Sequence, residues 1–260
     1  AWPGWKSEDA RPSVLCEYTH AMGNSNGNLK EYWDHIYAND THMGGYVWDW
    51  ADQGISQPVP SEFKHNIGKG PVTENFFAYG GWWENAKNIP NDDNFCMNGL
   101  VASDRTPHSG LFAIKYVYRN IHVSAVDAAA GKFSVRNWFD FSNLKDVAEA
   151  NWQLLANGRV VATGTLPDLD VPARAERAFA IELPELSLAD SADELLLTLS
   201  FTAKKEAFPL VPAGHEMAWD QFEIAPAMPV PVQLTQAALQ LEQTDDTVLV
   251  SGADFAVQFN

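Results

Sequence analysis

The sequence predicts a multi-domain chain of mixed class: an α/β portion over residues 1–120, an antiparallel immunoglobulin-like β-sandwich over 121–225, and a linker with the first strands of a further β domain over 226–260. Three observations predict it. Two short apolar runs without alternation flank one amphipathic stretch near the start, which is the pattern of buried parallel strands around a helix. Runs of period two then fill the middle of the chain, as in antiparallel sheets. Pro226, Pro229 and Pro231 separate these from a last strand-like stretch.

In the α/β portion, Val14-Leu15-Cys16-Glu17-Tyr18 is an apolar run ending beside a carboxylate, and its lack of alternation suits a strand covered on both faces. After a Gly/Asn-rich turn, Asn28 is placed to cap a helix with Glu31 three residues on, and Leu29, Tyr32, Trp33, Ile36 and Tyr37 fall on one stripe. That helix is expected to end near Asn39-Asp40. Gly44 to Trp50 forms the next apolar run, so strand, helix and strand make a βαβ crossover. Residues 52–106 carry Pro58, Pro60, Gly68, Gly70, Pro71, Gly80 and Gly81 and read as one long irregular loop, of a length that is usually functional or disordered. Thr106-Pro107 opens a second helix, with Pro at its first position and an apolar face of Leu111, Ile114, Val117 and Tyr118.

From about residue 121 alternation takes over, in runs from Lys132 to Phe141, Asn151 to Ala156, Val160 to Thr165, Ala178 to Leu183, Glu194 to Thr202 and Met217 to Ile224. Asn157-Gly158 between two of them is a hairpin signal, because both central residues of a type I′ turn need positive φ. Such strands fit an immunoglobulin-like sandwich without the tryptophan-and-cystine signature of antibody domains. Strands begin again from Leu239 towards Phe259.

Composition narrows the partners. Acids outnumber bases 34 to 17, and a net charge of −17 repels phosphate backbones and anionic membrane surfaces, so neither nucleic acid nor membrane is an expected partner. No stretch approaches the roughly 20 apolar residues of a membrane span. The first residues lack the charged-then-apolar order of a signal peptide, and with no initiating Met and a strand-like last segment both ends are expected to be interruptions of a longer polypeptide. Cys16 and Cys96 lack metal-ligand spacing and are expected to be reduced and buried. Ten Trp, fourteen Phe and seven Tyr suit a protein that stacks flat sugar faces on rings, and equally one that fills its cores with them.

Glu17 is the sharpest candidate for chemistry. A carboxylate at the C-terminal end of a buried parallel strand lies where barrel enzymes assemble their active sites. An unpaired buried charge is costly, so this residue is either functional or held by a buried Arg or by backbone donors. The run Cys16-Glu17-Tyr18-Thr19-His20-Ala21-Met22-Gly23-Asn24-Ser25 is followed by Gly45-Tyr46-Val47-Trp48-Asp49-Trp50-Ala51-Asp52-Gln53. After these come Asn94-Phe95-Cys96-Met97-Asn98-Gly99-Leu100-Val101 and Asp104-Arg105-Thr106-Pro107-His108. In this order the four runs resemble the large bacterial β-galactosidases of glycoside hydrolase family two. The resemblance is specific over residues 12–118 and looser to about 225, where Leu183-Pro184-Glu185-Leu186 and Ala213-Gly214-His215-Glu216 carry it. Beyond that it is weak.

The resemblance implies that residues 1–120 are the C-terminal part of a (β/α)8 TIM barrel, including its last two strands. It further implies retaining hydrolysis of terminal β-D-galactose residues, with Glu17 as the nucleophile that forms the covalent galactosyl intermediate. Such a reaction needs a second carboxyl group about 5–5.5 Å away. In the family that acid/base belongs to an earlier strand, so it is not assigned to Asp49, Asp52, Asp92 or Asp93, and residues 1–260 alone are expected to be inactive. His20 matches a contact to the galactosyl hydroxyls and Trp48 the aromatic wall beside the ring, while core packing is expected for Trp50. Asn98 matches a ligand to a monovalent cation, sodium or potassium, and to the sugar's outer hydroxyl. Phe95 offers its backbone carbonyl to the same cation, and Asn91 matches a peripheral magnesium site. Both metal sites are expected to be incomplete in this chain. The implied partners are a β-galactoside, the rest of the parent polypeptide and further copies in a homo-oligomer, and the implied compartment is the cytoplasm or the periplasm.

The loop departs from the family pattern. Residues 54–75 are more extended, and Gly81-Trp82-Trp83-Glu84-Asn85 replaces a more acidic stretch, which makes Trp82 or Trp83 a candidate aglycone platform. Two alternatives stand beside the galactosidase reading. One is a related enzyme for a glucuronide or mannoside, against which the Asn94-to-Asn98 run argues for galactose; the other is a non-catalytic sugar-binding or assembly module. A partial barrel is also expected to expose strand edges and apolar faces that favour association.

Overall fold

The computed structural model describes residues 11–69, 73–84, 89–166, 168–184, 194–226 and 238–260. Strand β1 (Ser13–Tyr18), helix α1 (Leu29–Tyr37) and strand β2 (His42–Val47) form the expected crossover, with β1 and β2 paired in parallel. Helix α1 lays Leu29 and Ile36 inward, and a second helix, α2 (Ser109–Val117), packs beside it. Their shared core buries Tyr18, Ala21, Leu29, Leu100 and Ile114, with Leu15, Tyr32, Trp33, Leu111, Val117 and Tyr118 packed around them. The Trp33 indole donates to the Tyr18 hydroxyl at 2.9 Å, and that hydroxyl also meets the Tyr118 hydroxyl. Burial and this contact hold the Tyr118 phenol above its ordinary pKa.

Several expectations are corrected here. Asn28 does not cap α1 through its side chain; it takes a left-handed backbone with φ 60, a conformation that Asn tolerates. Helix α2 starts at Ser109 rather than at Pro107, because Pro107 is drawn into a bridge with Val101. The apolar run at 14–18 predicts a strand covered on both faces. Instead, β2 is the only strand that β1 pairs with among the described residues, and α1 and α2 cover one side only. Cys16 is therefore exposed rather than buried, Cys96 is half-buried, and both are free thiols. Trp50, expected in a core, is 62% exposed.

The long stretch after β2 is more ordered than its composition suggests. Strands β3 (Ile55–Pro58) and β4 (Asn75–Ala78) pair antiparallel, and 3-10 turns occupy Ser61–Asn66 and Asp93–Cys96. Residues 98–101 then run alongside 49–52 through main-chain hydrogen bonds.

The following strands form two sheets around one core. Strands β5 (Ile121–Asp127), β6 (Lys132–Asn137) and β9 (Glu176–Ala180) pair in the order β5-β6-β9. Strands β7 (Ala148–Ala156), β8 (Arg159–Leu166), β10 (Leu195–Ala203) and β11 (Glu216–Ala225) pair in the order β11-β10-β7-β8. A short helix, α3 (Leu144–Val147), leads into β7 and is capped by the Asn143 side chain. Strand β10 shows the alternation most plainly: Leu195, Leu197, Leu199, Phe201 and Ala203 point inward and the residues between them do not. Phe133, Val135, Leu154, Leu197, Leu199 and Phe201 are almost wholly buried, each contributing about 1.5–3 kcal/mol of apolar transfer energy. Asn157 and Gly158 both have positive φ, as the β7–β8 hairpin requires. Strand β5 escaped the sequence reading because only its first half is buried.

Strands β12 (Gln240–Gln243), β13 (Val248–Ser251) and β14 (Ala256–Phe259) form a three-stranded antiparallel meander. The expected linker residues Pro229 and Pro231, the Glu185-Leu186 pair, Asn85 and the first ten residues lie outside the described residues. Among the described residues no helix is long and apolar enough to cross a membrane.

A buried carboxylate joins the helical part to the sheets. Asp220 on β11 accepts from Arg119 Nη2 at 2.9 Å, the Tyr116 hydroxyl at 2.8 Å and Val123 N at 2.9 Å. The side chains of Arg119 and Asp220 are only 9% and 8% exposed, and the guanidinium lies over the Tyr116 ring. Tyr37 stacks on Trp138 at 4.5 Å to make a second contact. Removing one member of a buried pair strands the other. Asp220→Ala is therefore expected to lower stability by roughly 3–5 kcal/mol, read from urea unfolding, whereas Lys30→Ala, which breaks the exposed Lys30–Asp34 pair, leaves the midpoint nearly unchanged.

Candidate active site

The carboxyl ends of β1 and β2 define the site. Leu15 is opposite Gly45 and Tyr18 is opposite Val47, so three steps along β1 match two along β2. One extra residue is thereby bulged out of β1 at Cys16-Glu17, and Leu15 and Tyr18 can both face the helices. Gly45 makes this approach feasible, because a Cβ there would press on Leu15 and Tyr18. Glu17 is left exposed on the opposite side. Among the described residues its carboxylate has neither an ion-pair partner nor a hydrogen bond.

Trp48 follows β2 and binds across to β1: its N–H donates to Tyr18 O at 3.1 Å, and its carbonyl accepts from Ala21 N at 2.7 Å. The Trp48–Asp49 peptide is cis. The Trp48 side chain is 40% exposed, one step from the strand pair that presents Glu17. The next residues bind the returning chain. Asp49 N donates to Asn98 O, Leu100 N to Asp49 O, Val101 N to Trp50 O and Asp52 N to Val101 O, at 2.9–3.1 Å. Residues 98–101 thus add a parallel segment beside 49–52 and carry Asn98 to the same end of the structure.

Asn98 is 1% exposed. Its Nδ2 donates to Phe95 O at 2.8 Å, and its Oδ1 is buried without a hydrogen-bond partner. The His20 ring lies 5.0 Å from that of Phe95, and His20 Nε2 is likewise buried and unpartnered. Asn26 Nδ2 holds the Thr19 carbonyl at 2.9 Å, while Thr19 itself has φ 53, an unfavourable conformation for a β-branched residue and of the kind that gathers at functional sites. Buried polar atoms without partners are costly unless a ligand or water completes them. Here two such atoms belong to residues that both contact Phe95, His20 at its ring and Asn98 at its carbonyl.

Other expected residues stand apart. Asn91 Oδ1 accepts from Asp93 N at 3.0 Å and its Nδ2 donates to Ile89 O at 3.3 Å, so the amide closes its own turn. Trp82 meets Phe76 edge-on at 4.8 Å and lines a cavity of about 390 Å³ with Val59, Phe63 and Lys69, whereas Trp83 is 47% exposed. Neither indole makes a ring contact with His20, Trp48 or Phe95 among the described residues. Asp49 receives Ala51 N and Gln53 Nε2, which marks it as a turn-forming acid.

The sequence reading missed Asp52 and His108. Asp52 is 8% exposed and accepts from Gly99 N at 2.8 Å; His108 Nδ1 lies 2.9 Å from Gly99 O. Both residues sit inside the motif runs, and a carboxylate following a strand-like apolar run was the available signal. Gly99 itself has no room for a side chain, since a Cβ would overlap Asp52 N and the Ala51 backbone.

Two family models match the chain. Residues 2–123 match the model of the glycosyl hydrolases family 2 TIM barrel domain, and residues 133–225 match β-galactosidase domain 4. The chain belongs to glycosyl hydrolase family 2. Within it, this chain is similar to curated bacterial β-galactosidases. It is 33% identical to that of Priestia megaterium over 96% of its length, 35% identical to that of Vibrio vulnificus strain YJ016 over 97%, and 33% identical to β-galactosidase 2 of Enterobacter cloacae over 100%. The chain spans 23–24% of the length of these relatives. A solved β-glucuronidase of Parabacteroides merdae aligns with 85% of the chain and 22% of its own, at 14% identity and a TM-score of 0.21, a likeness that bears on neither fold nor substrate.

Gly99→Ala is expected to push residues 98–101 off the 49–52 segment and to destabilise the chain by roughly 1–3 kcal/mol. Gly27→Ala, where a Cβ meets open space, is the matched control; urea unfolding and amide exchange at residues 98–101 compare the two.

Proposed function

We propose that the polypeptide carrying this chain is a retaining β-galactosidase in which Glu17 is the nucleophile. The observation that carries the reading is the bulge in β1. It turns the Glu17 carboxylate away from the helix-covered side, uncommitted to any partner among the described residues, at the strand end where Trp48, His20 and Asn98 collect. An attacking carboxylate has to be charged and accessible, and Glu17 is accessible.

In this mechanism a Glu17 oxygen bonds to the anomeric carbon as the bond to the aglycone oxygen breaks, and that oxygen takes a proton from a general acid outside residues 1–260. Water then attacks the same carbon, gives its proton to that group, and releases the Glu17 carboxylate. The Trp48 ring lies flat beside the sugar, where the face of an aromatic ring stabilises positive charge developing in the ring. His20 Nε2 and Asn98 Oδ1 gain from sugar hydroxyls the hydrogen bonds that they lack.

The Asn98 and Phe95 oxygens also fit the monovalent cation that the family implies. Phe95 O lies beside the Asn98 amide, whose buried Oδ1 is open, and neutral oxygens suit a weakly charged hard ion. Sodium or potassium held there would orient the sugar's outer hydroxyl. Asn91 has no comparable open oxygen, since its amide closes its own turn. The magnesium proposal rests on the family alone.

The division at about residues 120 and 225 is part of this proposal. In it, residues 1–120 contribute the end of a TIM barrel and residues 121–225 form an immunoglobulin-like sandwich. The strand orders β5-β6-β9 and β11-β10-β7-β8 support such a sandwich. Val14, Met43 and Tyr46 on the uncovered strands are 48%, 67% and 70% exposed, a surface that the preceding barrel strands would cover.

Glu17→Gln in the full-length polypeptide is expected to lower turnover of a nitrophenyl β-galactoside by about 10³-fold or more while galactoside binding stays within a few-fold. Turnover at the wild-type rate contradicts the assignment. Residues 1–260 expressed alone are expected to show no turnover in the same assay.

A further inference from the structure

Asp52 and His108 lie on different segments and converge on one peptide. Asp52 comes from the segment after β2, His108 from the start of α2, and between them runs Gly99, the residue after Asn98. The buried Asp52 carboxylate takes the Gly99 N–H at 2.8 Å, and its own carbonyl takes the Ser103 hydroxyl at 3.1 Å. His108 meets Gly99 O at 2.9 Å through Nδ1. A carbonyl only accepts, so Nδ1 carries the hydrogen of this contact, while Nε2 lies 3.7 Å from Asp52 Oδ2, beyond hydrogen-bond distance. Both polar groups of Gly99 are thereby held by side chains, and His108 N binds Leu100 O at 3.0 Å as well.

This arrangement is more than the strand pairing needs. The main-chain bonds of Asp49, Leu100, Val101 and Asp52 already align the two segments. What the side-chain pair adds is rotation control of the Gly99 peptide planes, and so of the Asn98 Cα–Cβ direction. Asn98 is 1% exposed with an unpartnered Oδ1, so a small rotation decides whether that oxygen faces a ligand or the protein interior. Glycine offers no side chain to resist such a rotation, and no larger residue fits.

We propose that Asp52 and His108 act as a positioning pair that clamps the Gly99 peptide and thereby aims the Asn98 side chain at the galactosyl unit. The inference rests on the galactosidase reading for the identity of the ligand, and on geometry alone for the clamp. Asn98 acts at the sugar's outer hydroxyl, remote from the breaking bond, so it binds ground state and transition state alike. Loss of its aim raises KM more than it lowers kcat.

The test uses the full-length polypeptide with Asp52→Ala, His108→Ala and His108→Asn. Asn can present an N–H close to the place of His Nδ1. Each Ala variant is expected to speed amide exchange at Gly99 and to raise KM for a nitrophenyl β-galactoside about tenfold, the net worth of one hydrogen bond, with kcat within threefold. His108→Asn recovers most of the lost affinity, which a purely structural role for the imidazole would not predict. Because the His108 side chain is 41% exposed, its variants fold even if Asp52→Ala does not. Unchanged Gly99 exchange, or unchanged KM in both Ala variants, overturns the proposal. Wild-type turnover in Glu17→Gln would instead overturn the nucleophile assignment and leave the clamp standing.

Discussion

The site depends on a short main-chain ladder in which residues 98–101 lie parallel to 49–52. It crosses a gap of almost fifty residues in sequence, and it is made of backbone groups, so it is nearly indifferent to side-chain identity except where space is short. Gly99 is that place, because the two segments approach until no Cβ fits. Once the ladder is closed, Trp48 and Asn98 have fixed relative positions. The pairing of β1 with β2 sets Glu17 on the strand next to the one that Trp48 follows. No long-range ion pair is needed to collect these residues, which leaves the Glu17 carboxylate uncommitted among the described residues.

The surroundings hold this arrangement from one side. Tyr18, Leu100 and Ile114 anchor β1, the ladder and α2 in a single core. The C-terminal end of α2 is then tied to the β-sheets through Arg119, Tyr116 and Asp220. Among the described residues no element packs on the other side of β1 and β2, where Cys16 and Tyr46 are exposed. In the proposed reading this face is where the further barrel strands would lie, and the relatives are about four times the length of this chain.

Much of this was legible in the residues. The stripe of Leu29, Trp33 and Ile36 announced α1, the alternating Leu197, Leu199 and Phe201 announced β10, and Asn157-Gly158 announced its hairpin, because each signal is local. The motif around Glu17 supplied the candidate site. What could not be read depended on distant partners. Residues 98–101 contain an ordinary Asn-Gly-Leu-Val, and only the opposite segment makes them strand-like. The bulge at Cys16-Glu17 arises from the register against Gly45, so the expectation of a strand buried on both faces failed for Cys16. Pro107 looked like a helix start until its bridge to Val101 removed it. Asp52 and His108 stood inside the motif runs without a role, because the peptide groups that they hold lie 47 and 9 positions away.

Chemical trapping tests the central claim most directly. A 2-deoxy-2-fluoro-β-galactoside with a good leaving group slows both steps of a retaining reaction and lets the glycosyl ester accumulate. Incubated with the full-length polypeptide, it should leave one fluorogalactosyl adduct, found by peptide mass mapping on the segment holding Glu17 and absent from Glu17→Gln. An adduct on another carboxylate, or turnover in Glu17→Gln at the wild-type rate, would contradict the account.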